Sequence, residues 1–316
     1  MHAFFEGVYR LKLPVVELKE VTKRFGRVVA LDDLSLTING RVNGLIGPNG
    51  AGKTTLLNVL LGFTRADVGE AYVLGFDVRR ELLEIKKRVG ILPENPGFPR
   101  SFTGEEFLVR VARLRGLSEP RKRVMEVLKV VGLSGAADRS IKTYSSGMYQ
   151  RLGLAQAILD EPELIVLDEP AANLDPLGRM DVLKIIESYS KERGMRFLLS
   201  THILYDIEKV CDWVGIMDSG KVREQGSVEE LIQKYSGLVY SIVVSDLKTF
   251  GAELAKTDLV KTMAFKGDAV VATFMVGVDV YGEVMRLAER VKVKVEEVRP
   301  VLGSLDEVLR RVLAPD

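Results

Sequence analysis

The sequence predicts an α/β core on a parallel sheet, interrupted by a helical insertion and followed by a small α+β domain. Three observations carry that expectation. A glycine-rich loop, GPNGAGKTT, runs out of a short apolar segment into a helical pattern. Two wholly apolar runs, residues 164–167 and 197–199, flank a helical segment at 178–191, as buried parallel strands joined by a crossover helix would. Beyond residue 237 the order is strand, helix, hairpin, helix, strand.

In chain order, residues 15–21 alternate, 29–38 are strand-like, and 42–46 form an apolar run ending at Gly47. After the glycine-rich loop, Leu56, Leu57, Leu60 and Leu61 mark one face of a helix. The proline-rich passage LPENPGFPRSFTGEEF breaks regular structure after Ile91. Thr103 with Glu106 then supplies a capping box for a helix to about Leu114, and Val124, Leu128 and Val131 share a side of a second helix at 121–131. Residues of about 96 to 160 thus form a helical subdomain within a first domain at 13–236. Ser227 with Glu230 opens a short helix ending near Tyr235-Ser236-Gly237, where the domain boundary is placed. The second domain, 237–316, contains a strand at 239–244, a helix at 250–256, a hairpin turning at Lys266-Gly267-Asp268, a helix at 281–291 and a strand at 293–298. A last helix is capped by Ser304 with Glu307; the β-α-β-β-α-β order suits a ferredoxin-like unit.

Composition narrows the function classes. Lys and Arg number 45 against 44 Asp and Glu in 316 residues, so the net charge of +1 gives no global reason to expect a nucleic-acid partner. One cysteine and two histidines build neither an internal disulfide nor a zinc cluster, which fits a reducing cytoplasm. The first twelve residues, carrying Glu6, Arg10 and Lys12, read poorly as a signal peptide. No run approaches the roughly 18 apolar residues needed to span a bilayer, so any spanning is expected of another chain.

The chemistry is concentrated in four stretches. Gly47-Pro48-Asn49-Gly50-Ala51-Gly52-Lys53-Thr54-Thr55 satisfies G-x-x-x-x-G-K-[ST] in its strand-to-helix context. Its glycines let successive N–H groups converge on phosphate oxygens, and the helix start adds the positive end of a dipole. Lys53 is expected to reach the β and γ phosphates, Thr54 to ligate magnesium through its hydroxyl, and Thr55 to touch the α phosphate. In ELIVLDEPAANLD, Asp168 ends an apolar strand at the sheet edge where the phosphate loop also lies, within reach of Mg2+ through water. Glu169 follows as the candidate that orients or deprotonates the attacking water; a solvated turn at Asp168-Glu169-Pro170 after a core strand is the lesser alternative, weakened further by the phosphate loop. His202, in FLLSTHIL, would serve either at the γ phosphate or as the cap of a helix beginning near Ile203. The fourth stretch is YSSGMYQR, residues 144–151, a polar turn at a helix start.

In order and spacing, residues 47–55, 144–150, 164–169, 172–175 and His202 resemble the nucleotide-binding subunit of ATP-binding cassette (ABC) transporters, over about residues 15 to 235. The resemblance implies a P-loop NTPase core with an antiparallel β portion and a helical subdomain. It also implies ATP and Mg2+ as cofactors and ATP hydrolysis as the activity. Position by position, Phe25 resembles the aromatic that stacks on adenine, although by type it would equally be a core side chain. Asp168 resembles the magnesium carboxylate, Glu169 the catalytic base, Asp175 the aspartate of the loop crossing the dimer interface, and His202 the switch histidine.

Two positions depart from the family pattern. Glu94 stands where Gln is usual; it can still ligate magnesium but cannot donate a hydrogen bond at neutral pH, and a plain loop carboxylate remains the alternative. The signature, usually Leu-Ser-Gly-Gly-Gln, reads Tyr144-Ser145-Ser146-Gly147-Met148, which keeps the Ser145 hydroxyl and the Gly147 backbone donor. Both departures, and the ending EEVRPVLGSLDEVLRRV, look like the multidrug and antibiotic exporter group. Ser145, Ser146 and Gly147 make an anion site in a chain whose own phosphate loop is already committed to the nucleotide, so they read as half a site offered to a neighbour's ATP.

The resemblance thus implies a subunit at the cytoplasmic face of the membrane, pairing with a second copy or a related ATP-binding subunit and driving a separate integral-membrane permease. The loop 94–100 and the helical subdomain are the expected coupling surface. A soluble cassette of translation or DNA repair is the alternative, but the coiled coil, zinc module or second cassette usual in that class is not found here. A binding-only regulator is a third reading, opposed by Glu169 and His202.

Overall fold

The protein is described here by a computed structural model covering residues 13–172, 174–236, 238–275, 277–301 and 304–314. The signal-peptide reading of residues 1–12, and the helix end expected at Gly237, lie outside the described residues. Two compact units meet between Ser227 and Val228.

The first unit opens with β1 (Val16–Phe25), β2 (Val28–Ile38), β3 (Val42–Ile46), α1 (Lys53–Leu60), β4 (Val68–Val73), β5 (Phe76–Asp77), α2 (Leu82–Lys86) and β6 (Val89–Leu92). It continues with α3 (Gly104–Leu114), α4 (Pro120–Val130), α5 (Ser146–Ala157), β7 (Leu164–Asp168), α6 (Pro176–Arg193), β8 (Arg196–Thr201), α7 (Leu204–Val210), β9 (Trp213–Asp218) and β10 (Lys221–Ser227). These strands form two sheets. Strands β2-β1-β4-β5 make an antiparallel sheet, and β10-β9-β3-β8-β7-β6 make a sheet that is parallel except for β10.

The parallel strands are covered on both faces, which is why β3 and β7 are largely apolar: every residue of each is buried, Asn43 and Asp168 included. Helix α1 contributes Leu56, Leu57, Val59 and Leu60 to a core that also takes Val16 and Leu18 from β1 and Leu164 and Val166 from β7. Each such side chain contributes about 1.5–3 kcal/mol by leaving water. The register sets Ile46 beside Thr201 and Asp168 beside Ser200. The loops leaving β3, β7 and β8 therefore emerge together at the carboxyl edge of the sheet, the usual ligand side of such sheets.

The helical insertion forms as the sequence predicts. Thr103 Oγ1 accepts from the Glu106 amide at 3.1 Å, and Glu106 Oε2 accepts from the Thr103 amide at 3.0 Å, closing the capping box of α3. Helix α4 starts at Pro120, where the missing N–H costs nothing, one residue earlier than the apolar spacing suggested.

The second unit contains α8 (Val228–Ser236), β11 (Leu238–Val244), α9 (Leu247–Leu254), β12 (Val260–Lys266), β13 (Ala269–Phe274), α10 (Val280–Val291), β14 (Val295–Pro300) and α11 (Leu305–Val312). Its antiparallel sheet has the order β12-β13-β11-β14, so the first and third strands are central, the ferredoxin-like arrangement expected from the element order. Ile242, Phe250, Val270, Phe274, Val284 and Leu287 fill its core. Two details differ from expectation. Helix α8, expected to end the first domain, is grouped with the second unit, where it packs against α11. Ser304 occupies the N-cap of α11 without a side-chain bond, and the Glu307 carboxylate, which a capping box would turn back to the Ser304 amide, accepts instead from Arg311 one turn on, Nη2 to Oε1 2.6 Å. Among the described residues no helix is long and apolar enough to cross a membrane.

Candidate active site

The phosphate loop is shaped by contacts that only glycine tolerates. A Cβ on Gly47 would lie 2.1 Å from the Met217 carbonyl oxygen. Gly52, the N-cap of α1, has φ 101°, and a Cβ there would lie 2.6 Å from the Ala30 oxygen. Lys53 is 7% exposed and its Nζ donates to the carbonyls of Gly47 at 2.7 Å and Pro48 at 3.2 Å. Burial lowers its pKa, against the opposing pull of Glu169, Asp168 and Glu94. An incoming polyphosphate would relieve this desolvated cation.

Asp168, at the end of β7, is buried and doubly held. The Ser200 hydroxyl donates a short hydrogen bond to its Oδ1, and Thr54 Oγ1 donates to the same oxygen at 3.3 Å. Ser200, fully buried on β8, also accepts from the Glu169 amide at 3.2 Å. One hydroxyl therefore sets the spacing of both carboxylate residues. Nothing in the motif reading singled out Ser200; its only signal is a polar residue in the apolar run FLLS.

Glu169 takes φ 49°, a left-handed conformation that costs a non-glycine residue about 1–3 kcal/mol. Its amide is paid back by bonds to the oxygens of Ser200, and its carbonyl accepts from Gln150 Nε2 at 3.4 Å. That bond links α5, the helix begun by the signature, to the carboxylate turn. His202 Nδ1 stands 3.0 Å from each Glu169 carboxylate oxygen. The N-cap position of α7 is Ile203, without a side-chain cap bond, and the His202 ring turns to Glu169 rather than to the helix start.

A cleft of 420 Å³ joins these groups, lined by residues 49–55 of the phosphate loop, by Glu94, Glu169, Ala172 and His202, and by Val28, Val29 and Ala30. Glu94 is exposed within it. Phe25 is not part of this lining; it pairs with Val28 in the β1–β2 register, 52% exposed, with Lys23 Nζ 5.2 Å from its ring centroid.

The signature lies outside the cleft. Ser145 is the N-cap of α5, its Oγ accepting from the Met148 amide at 3.3 Å, and both Ser145 and Ser146 are exposed. Gly147 faces Leu174, whose Cδ2 would be 3.2 Å from a Cβ there. Asp175, exposed, caps α6 by accepting from the Gly178 amide at 2.6 Å.

The Thr54 hydroxyl and the Asp168 carboxylate, with Glu94 exposed nearby, are hard oxygen donors. Mg2+ carried by nucleotide phosphates needs only one or two protein oxygens, so this donor set fits it. Among the described residues there is no group of three or more His, Cys, Asp or Glu able to form a dedicated metal cage.

Comparisons with known proteins agree with this geometry. The ABC transporter family model matches residues 31–172. The uncharacterized ABC transporter ATP-binding protein YhcH of Bacillus subtilis is 37% identical over 218 residues, 68% of this chain and 71% of that protein. The bacitracin transport ATP-binding protein BcrA of Bacillus licheniformis is 37% identical over 212 residues, 67% of this chain and 69% of BcrA. Among solved structures, an ATP-binding subunit of an ABC transporter superposes with TM-score 0.64 at 28% identity, covering 70% of this chain and 93% of its own. A dimeric bacterial ABC transporter cassette, TM-score 0.63 at 23% identity, covering 67% of this chain and 98% of its own, shares the fold.

Proposed function

This chain belongs to the ATP-binding subunits of ABC transporters, an ATPase family, and from that premise we propose that it powers a separate membrane permease, as an exporter subunit, through ATP-dependent pairing of two cassettes. The observation that carries the reading is the division of the site. One chain brings Lys53, Thr54 and Glu169 to a common cleft, with Asp168 hydrogen-bonded to Thr54, and leaves Ser145 and Ser146 exposed outside its lining. A second copy, or a related ATP-binding subunit, turned head to tail, would lay its Ser145 hydroxyl and Gly147 amide on the γ phosphate bound by the first.

Within each site Lys53 compensates β and γ phosphate charge and the amides of residues 50–55 cradle the phosphates. Thr54 and Asp168, with Glu94 beside them, are the residues that would hold Mg2+, which neutralises phosphate charge when bound. Glu169 orients the attacking water and takes its proton. His202, in contact with that carboxylate, fixes its direction toward the γ phosphate. Phe25 stacks on the base, and Asp175 belongs to the segment that crosses to the partner. Hydrolysis removes the γ phosphate contacts and releases the pair, giving the permease a cycle of closure and opening.

The exporter assignment draws on the likeness to proteins named for bacitracin transport. It places the chain peripherally at the cytoplasmic face, with the loop 94–100 and the helical subdomain toward the permease. Glu169→Gln tests the core of the proposal: ATP turnover should fall at least about a hundredfold, while ATP should hold the variant as a dimer by light scattering. Unchanged turnover would remove the assignment of Glu169, and a variant that remains monomeric at saturating ATP would remove ATP-driven pairing.

A further inference from the structure

Resting on the pairing just described, we propose that Arg179 and Asp206 are a positioning pair that carries engagement of Leu174 and Asp175 by a second copy to His202. Arg179 lies in the first turn of α6, whose N-cap is Asp175. Asp206 lies on α7, one turn beyond His202. The two helices pack on each other, so the side chains meet although they belong to different motifs.

The contact is unfinished in the single chain. Asp206 is 2% exposed, and its Oδ1 stands 3.9 Å from Arg179 Nε. Among the described residues, neither of these buried atoms has a hydrogen-bond partner. A buried carboxylate and a guanidinium left at this distance keep most of their desolvation cost without the bond that offsets it. Closing the gap by about 1 Å would form a charge-assisted hydrogen bond. The first turn of α6 can make that movement when the segment ahead of it is pressed by a partner, and α7 would then be drawn toward α6 with His202 at its head. The Glu169–His202 contact would thereby be set by the presence of the second copy, which suppresses hydrolysis in an unpaired chain. Burial raises the Asp206 pKa; Arg179 from α6 lowers it, Glu169 from the turn after β7 raises it, and His202 lowers it. The arrangement is sensitive to which of these groups approaches.

Asp206→Asn, Arg179→Gln and the double variant, made in the full chain, test the pair. Each single variant is expected to lower kcat for ATP about tenfold with KM unchanged, and the double variant to fall no further than either. Parental kcat in both single variants, additive losses in the double, or loss through KM alone would overturn the proposal. Thermal stability supplies a second reading. A raised carboxylate pKa contributes stability that is present below the unfolded value and lost as pH rises through the folded one. Asp206→Asn should therefore keep or raise the Tm at pH 7, with the gain shrinking toward about pH 4. A lower Tm at pH 7 would mean that the pair is already closed in the single chain, contrary to the proposal. Failure of Glu169→Gln to dimerise would remove the pairing on which this rests; dimerisation of that variant beside parental kcat in Asp206→Asn removes the positioning pair alone.

Discussion

The phosphate loop and the signature are both glycine-containing turns that start a helix, yet the chain treats them differently. The loop is enclosed: Gly47 and Gly52 are pressed against the carbonyls of Met217 and Ala30, and Lys53 is tied to two loop oxygens. Ser145 has one bond, to the Met148 amide, and faces solvent with Ser146. Nearly identical local chemistry is finished in one place and offered in the other. Whether an anion site is complete is decided by what packs over it: in the signature Leu174 approaches Gly147, but Ser145 and Ser146 stay exposed.

Ser145→Arg applies the largest stress to that difference. A guanidinium at the helix start would meet the partner's Lys53 and displace the hydroxyl, so ATP-driven pairing of the Glu169→Gln background should be lost, about a hundredfold or more in dimer affinity. ATP binding to the single chain, measured by calorimetry, should change less than about twofold, because the cleft is built from other residues. Equal loss of both would erase the distinction between a finished and an offered site.

The two regions also differed in how far the sequence revealed them. Within each motif the functional residues are consecutive, Gly47 to Thr55 in one and Asp168-Glu169 in the other, and the buried strands β3 and β7 carry only Asn43 and Asp168 as polar side chains, so fold and motifs were legible together. The antiparallel strands β4 and β5 and the edge strand β10 were harder, since half-exposed segments such as KVREQGS hold one apolar side chain among charged and polar ones and give little apolar contrast. Ser200 escaped because a serine in a strand says nothing until β7 and β8 pair and set it beside Asp168. Arg179 and Asp206 escaped for the same reason, one helix packing on another. Ser304 shows the opposite failure: a capping box was legible, but the Ser304 side chain makes no cap bond and the Glu307 carboxylate turns to Arg311.

Tyr144→Phe probes what presents the signature. The Tyr144 hydroxyl donates to the Ala136 carbonyl at 2.7 Å inside the helical subdomain, where a Cβ on Gly104 would lie 2.3 Å from it. Removing the hydroxyl leaves that carbonyl unsatisfied at a cost of about 1–2 kcal/mol. The position of Ser145 should loosen, and ATP-driven dimer affinity should fall about tenfold, while ATP binding to the single chain stays at the parental value. Parental dimer affinity would mean that Tyr144 merely fills space and that the Gln150 link to Glu169 sets the signature alone.

Thr103→Ala separates the anchor from the rest of the subdomain and should have the smallest effect. Thr103 caps α3 and bridges to Ser140, and Ile141 donates to the Phe102 carbonyl at 2.9 Å, so this corner lies just ahead of Tyr144 in the chain. Losing the cap costs about 1 kcal/mol, which local opening would register as roughly fivefold faster hydrogen exchange at the Glu106 amide. If Tyr144 is what holds the signature, this loosening stops at α3, and dimer affinity changes less than about twofold. A loss of pairing as large as that of Tyr144→Phe would show that the offered site is held by the whole subdomain acting as one body, and that its exposure, rather than its looseness, is what distinguishes it from the phosphate loop.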